Sequence, residues 1–199
     1  MLSKQMTDLE KQARAIENNF EVFKGMCEQL GDRTQPIMKM LDELGERVAM
    51  CPASSRTDYH NAFPGGLVEH SLRVLKMARK LSQSLGMDLP PESLIMASLF
   101  HDFGKIGGLD RDRYIEQDSD WHRSKGMVYK VNPDDKIPPT GQGALFLLQH
   151  YGVRLSEAEY VAILINDGQY APENKPFAMK EPDLAIVIQQ ADLWATREE

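Results

Sequence analysis

Four side chains able to hold a metal ion stand where apolar ones are expected. In 67–85, Leu67, Val74, Ala78 and Leu81 mark the inner stripe of a helix, and His70 and Ser71 fall in that stripe, one turn before Val74. In 90–102, Leu94 and Ala97 lead to His101, while Ile95 and Leu99 lead toward Asp102. In 183–196, Leu184 and Ile188 are followed at the same four-residue step by Asp192, and then by Ala195. A carboxylate buried alone costs several kcal/mol and must find a partner. Two imidazoles and two carboxylates turned inward are satisfied together by one shared divalent cation, because His nitrogen and Asp oxygen are its usual ligands. Each residue taken singly has a plainer reading: an inward His with one hydrogen bond, an inward Asp capping a helix or facing an arginine. The joint pattern points to the metal, because the three helices must pack together in a domain this small.

The elements that carry these residues are helical. Residues 3–30 form an amphipathic helix with Leu9, Ala13, Ile16, Phe20 and Phe23 on one face, closed by Gly31. Pro36 opens a second, in which Ile37, Met40, Leu41, Leu44 and Val48 recur at three and four. CPASSRTDYHNAFPGG (51–66) is a loop crowded with turn residues. Residues 67–85 make a third helix; Pro90-Pro91-Glu92 start a fourth that runs to Asp102 and stops at Gly104. Residues 104–142 are acidic, rich in turn residues and without a regular element, a length of irregular chain that is often functional. Helices follow at 143–151, 156–165 and 183–196, with Ser156 and Glu159 as a capping box. Met26, Met38, Met40, Met50, Met77 and Met96 fall at core spacing, and Trp121 and Tyr129 are expected to pack the acidic loop onto the domain rather than to stack on a base. No run alternates like a strand, so the fold class is all-α: a helical bundle with a long irregular loop. Residues 1–49 are a helical extension packed on a domain of 50–199.

Composition bounds the function. Of 199 residues, 42% are hydrophobic and 27% charged, as in ordinary globular proteins. No apolar stretch approaches the ~20 residues that cross a bilayer. The N-terminal stretch has no apolar signal region, and Cys27 and Cys51 make no CxxC, which together suggest a reducing, cytoplasmic setting. The net charge of −7 argues against long nucleic acid as the ligand, since its binders carry a basic face. A small anion is compatible, because a metal or a local Arg/Lys cluster reverses the sign inside a pocket.

The order His…His-Asp…Asp on helices resembles that of the HD superfamily of metal-dependent phosphohydrolases. HNAFPGGLVEHSLRV (60–74) and LIMASLFHDFGKIG (94–107) look like the leading motifs of HD-domain nucleotidases and exoribonucleases, and QQADLWA (189–195) like the closing helix with its aspartate. YKVN (129–132) and LLQHYGVRLSEAEYVAILINDGQY (147–170) look like a subgroup of phage and bacterial HD proteins. The resemblance spans roughly 50–196. It implies one divalent metal (Mn, Co, Ni, Zn, Mg or Fe) held by His70, His101, Asp102 and Asp192, and hydrolysis of a phosphoester by metal-activated water.

Around that centre the resemblance and the spacing suggest further roles. Asp102 is catalytic as well as a ligand. Lys105 reaches a phosphate oxygen, and Glu69, next to His70, serves as acid or base; their plainer readings are a solvated lysine and an outward glutamate. His60, Arg56 and Arg73 lie in or near the loop over the metal, with His60 the best phosphate contact and Arg73 closer to a surface charge. Asn166, Asp167, Gly168, Gln169 and Tyr170 belong to the substrate rim, with Asn174 and Lys175 as further candidates beside it. Dinuclear members carry a histidine before a glycine in a segment like INDGQY; here that place holds Asn166. His122 and His150 sit in no matching context. One metal is therefore favoured over two, which counts against a diiron oxygenase of the HD type, because that reaction needs six protein ligands. The remaining alternative is a weakened HD domain that binds a nucleotide or a partner without turnover. The expected substrate is a small phosphorylated compound, a nucleotide rather than RNA, and the N-terminal hairpin offers a surface for a homo-oligomer.

Overall fold

A computed structural model describes residues 7–138, 140–168 and 171–198. The helices are α1 (Asp8–Cys27), α2 (Thr34–Met50), α3 (Gly66–Ser84), α4 (Pro91–Phe100), α5 (Asp120–Ser124), α6 (Thr140–His150), α7 (Glu157–Leu164) and α8 (Asp183–Glu198). The fold is mostly helical, as the periodicity predicts. Among the described residues no helix is long and apolar enough to cross a membrane.

The element boundaries have local causes. Thr7 and Glu10 form a capping box at the start of α1, and Ser156 and Glu159 form the expected one on α7. Gly31 does not close α1: the helix ends at Cys27, and Gly31, with φ +60°, begins a short 3₁₀ turn. Likewise α2 starts at Thr34, so Pro36 lies within its first turn rather than opening it.

The core sits where α3, α4, α7 and α8 meet, with α1 and α2 laid against α3 and α4. Ile37, Met40, Leu41, Leu44 and Val48 of α2 are buried as predicted. The face predicted for α1 divides. Phe23 is buried and packs edge-on against Phe100, with ring centroids 5.8 Å apart, whereas Leu9 is exposed. The outer half of that face lines an open apolar groove of about 550 Å³ with Gly45, Ala49, Met50 and Pro64. Met50 is correspondingly 46% exposed and fills no core position, unlike the buried Met40, Met77 and Met96.

The acidic stretch departs from its reading as irregular chain. Strands β1 (Tyr114–Glu116) and β2 (Tyr129–Val131) pair antiparallel, with Tyr114 opposite Val131, and α5 lies between them. At three residues each, YIE and YKV are too short to display an alternating pattern, and the cross-strand partner alone makes them strands. Trp121, expected to pack inward, is 63% exposed and meets His122 edge-on. The hairpin leans on the 51–65 loop instead, through bonds from Thr57 N to Gly126 O at 2.8 Å and from Val128 N to Ser55 O at 3.1 Å.

Candidate metal centre

His101 and Asp102 lie just past the last residue of α4, not within the helix as expected. Their neighbours hold them there. Leu99 and Phe100 before them and Phe103 after them are buried, and Phe100 packs on Phe103 at 5.0 Å. A 3₁₀ turn over Phe103–Ile106 then brings Lys105 back over Asp102, with Lys105 N bonding Asp102 O at 2.9 Å. Gly104 is required by close approach: a Cβ there would lie 2.4 Å from Thr140 O of α6. His70 faces the same point from α3, and Asp192 from α8, the two helices that make the most extensive contact in the molecule.

The four side chains converge. His70 Nε2 lies 3.3 Å from His101 Nε2, 3.1 Å from Asp192 Oδ1 and 3.8 Å from Asp102 Oδ2. His101 Nε2 is 3.6 Å from Asp102 Oδ2 and 3.9 Å from Asp192 Oδ1. Both imidazoles are fully buried and Asp102 is 4% exposed. His101 Nδ1 is 2.8 Å from the Ser98 carbonyl, which accepts only, so Nδ1 carries the proton and Nε2 turns its lone pair into the cluster. Asp192 Oδ1 is buried without a hydrogen bond of good geometry. Two ring nitrogens and two carboxylates that converge on one buried point are the donor set of a divalent cation, and these residues fit one.

Electrostatics agree with that reading. Burial opposes ionisation of Asp102, and Lys105, His101 and His70 overcome it, holding the carboxyl well below the usual carboxylate range. Asp192 is also held below its ordinary value, the His70 and His101 rings outweighing burial and the charge of Asp102. Burial favours a neutral Lys105, but the ion pair with Asp102 more than offsets it and keeps the ammonium charged.

The remaining predicted residues divide. His60 comes to the centre, its ring tilted 36° against that of His70 with centroids 4.6 Å apart. Lys105 and His60 also line an open cleft of about 700 Å³ with Ser54, Thr57, Tyr114 and Thr196. Arg56, Glu69, Arg73, Asn166 and Asp167 do not line it. Arg56 turns to Asp58 at 2.7 Å, and Glu69 and Arg73 pair with each other at 3.2 Å along α3. Asn166, expected at the rim, is instead buried behind Asp102, its Nδ2 3.4 Å from Asp102 Oδ1. The Asp167 carboxyl is pushed above its ordinary value by desolvation against the protein and by the charge of Asp102. Gln169 and Tyr170 lie outside the described residues. His122 bonds Ser119 at 2.8 Å, and His150 packs edge-on against Tyr151.

Gln189 and Arg47 support the site without any sequence signal, and Asn174, expected near the rim, serves as a support as well. Asn174 Nδ2 and Gln189 Nε2 bond the carbonyls of Gly168 and Ile165 at 2.8 and 3.0 Å, so they pin the turn that sets Asn166 against Asp102. Arg47 of α2 gathers the carbonyls of Ile106, Gly108 and Leu109, each at 2.9 Å, and fixes the chain just after Lys105. Thr196, which lines the cleft, stands one turn past Asp192 on the same face of α8, a relation that the sequence itself displays.

Neither curated proteins nor solved structures match the chain in comparison. A family model described as the HD domain matches residues 67–194. That span begins in the first turn of α3 and ends two residues past Asp192, so it takes in His70, the His101-Asp102 pair and the late aspartate whose side chains meet in space. The chain belongs to the HD domain family.

Proposed function

We propose that the protein is a metal-dependent phosphohydrolase acting on a small phosphorylated substrate, a nucleotide or a compound like one. The observation that carries this reading is the joining of the two sites: Lys105 pairs with Asp102 in the metal centre and also lines the cleft. His70, His101, Asp102 and Asp192 would hold the ion, which supplies Lewis-acid stabilisation of phosphoryl charge and activates water. Lys105 places its ammonium where a phosphoryl oxygen beside Asp102 meets it. Ser54, Thr57 and Thr196 supply hydroxyls along the same cleft, and Arg197 adds a second cation at its edge. Tyr59 and Tyr114 give apolar faces against which a base or sugar packs. An acidic chain takes up an anion here because these cations are concentrated in one recess.

The test is release of inorganic phosphate from a panel of nucleoside mono- and triphosphates and sugar phosphates, with each of Mn, Co, Ni, Zn, Mg and Fe(II) supplied to metal-free protein. The expected result is metal-dependent release that His101→Ala and Asp102→Ala abolish. Metal binding with no release from any member of the panel would leave a binding domain and overturn the proposal.

A further inference from the structure

The donors around His70 form two overlapping sets. His70, His101 and Asp192 each bring a ligand atom within 4.8 Å of the others, and so do His60, His70 and Asp102. His70 belongs to both, and its Nε2 faces Asp192 and Asp102 alike. One imidazole nitrogen has one lone pair and binds one ion. The two sets are therefore parts of one coordination sphere rather than two separate sites. Octahedral bonds of about 2.1 Å put adjacent ligand atoms about 3 Å apart and opposite ones about 4.2 Å apart, and the separations among His70, His101, Asp102 and Asp192, from 3.1 to 3.9 Å, fall in that range.

The loop that carries His60 is built to hold it in place. Ser54 Oγ donates to the His60 carbonyl at 2.7 Å, and Ala53 N bonds Asn61 O at 3.1 Å, closing the loop on either side of the ring. Asn61, with φ +44°, takes the bend, and Gly66 lets it lie against α3, where a Cβ would sit 2.1 Å from Asn61 O. From the other side the loop is tied to 126–129 through Thr57 and Ser55.

We infer that His60 is a fifth protein ligand of the metal ion, delivered by the 51–65 loop and not by a helix of the bundle. The inference rests on the cluster being a metal centre and changes the role expected for His60 from phosphate contact to ligand. Because His60 also lines the cleft, a substrate in the cleft lies directly against this ligand.

The experiment titrates the purified full chain with Co(II) alone, measuring affinity by competition with a chelator and recording the visible absorption spectrum, whose intensity reports coordination number. His60→Ala is expected to weaken Co(II) binding about tenfold or more and to change the spectrum, a loss comparable to those seen on disturbing metal shells. His101→Ala should weaken it further, and His122→Ala should leave both readouts unchanged. Far-UV circular dichroism checks each variant; if the alanine protein does not fold, His60→Asn is judged by the same criteria. Unchanged affinity and spectrum in the His60 variant, with both lost in His101→Ala, would overturn the fifth ligand and leave the metal centre standing. Failure of the wild-type chain to bind Co(II) would overturn both.

Discussion

Two of the buried polar clusters among the described residues differ in their balance of donors and acceptors. Where the start of α2 meets α4 and α7, Glu159 is 1% exposed and fully satisfied. Arg33 donates to both of its oxygens at 2.8 Å, and Ser93 Oγ and Ser156 N add bonds of 2.8 Å each. The second arm of Arg33 turns to Glu92 at 3.1 Å. At the centre of α3, α4 and α8, by contrast, two imidazole nitrogens and two carboxylates face one another, and a buried carboxylate oxygen is left over. The first cluster is complete and acts as a strut. The second is short of positive charge and calls for a ligand. In sequence both are charged residues on amphipathic helices; their function is decided by whether the surrounding groups close the balance.

That contrast can be broken by exchanging the consequences of mutation. The largest effect belongs to the centre: Asp102→Asn should lower metal-dependent phosphate release about 10³-fold or more, since an ion that stabilises the transition state by several kcal/mol is lost with its ligand. The strut should behave in the opposite way. Glu159→Gln leaves a buried guanidinium underpaired and should cost about 3–5 kcal/mol in urea unfolding, with Co(II) affinity unchanged. A cost below about 1 kcal/mol would remove the distinction between the clusters.

The strut also predicts an acid limb. Burial raises the Glu159 carboxyl, but Arg33, Ser156 and Ser93 outweigh burial and hold it below the ordinary 4.5. The unfolded chain therefore binds this proton at higher pH than the folded one. The stabilisation is complete above about 4.5 and is lost as pH falls through the lower folded value. Glu159→Gln should flatten that part of the stability–pH curve, measured by urea midpoints from neutral pH downward.

The centre predicts ligand linkage in place of self-sufficiency. Manganese at a hundred times its dissociation constant should stabilise the wild-type chain by about 2.7 kcal/mol, read as a rise in Tm that a chelator reverses. Asp192→Asn should abolish that rise. The smallest effect is expected at Asn174→Ala, about 1–2 kcal/mol from losing the bonds to the Gly168 and Ile165 carbonyls, with a modest fall in turnover as the turn holding Asn166 loosens.

The sequence carried much of this because helical periodicity is local. With 3.6 residues per turn, a His or Asp that continues an apolar stripe is visible without knowing what the stripe faces. His70, His101, Asp102 and Asp192 were legible in that way, as were the capping box on α7 and the core face of α2. The β1–β2 hairpin was not, because strands of three residues exist through their cross-strand partner. Nor was Leu9: its stripe reads as core, but the body of the molecule does not reach that end of α1.

By itself the sequence determined the helices, the inward direction of the four donors and the chemistry those donor types favour. Only the tertiary structure decided who meets whom. Arg33 finds Glu159 across 126 residues, Asn166 settles behind Asp102 and not at the rim, and His60 swings from a turn-rich loop to the ring of His70. The reason is physical: side-chain direction follows from a few consecutive dihedral angles, whereas a partner depends on how distant elements cross and how loops are bonded onto them.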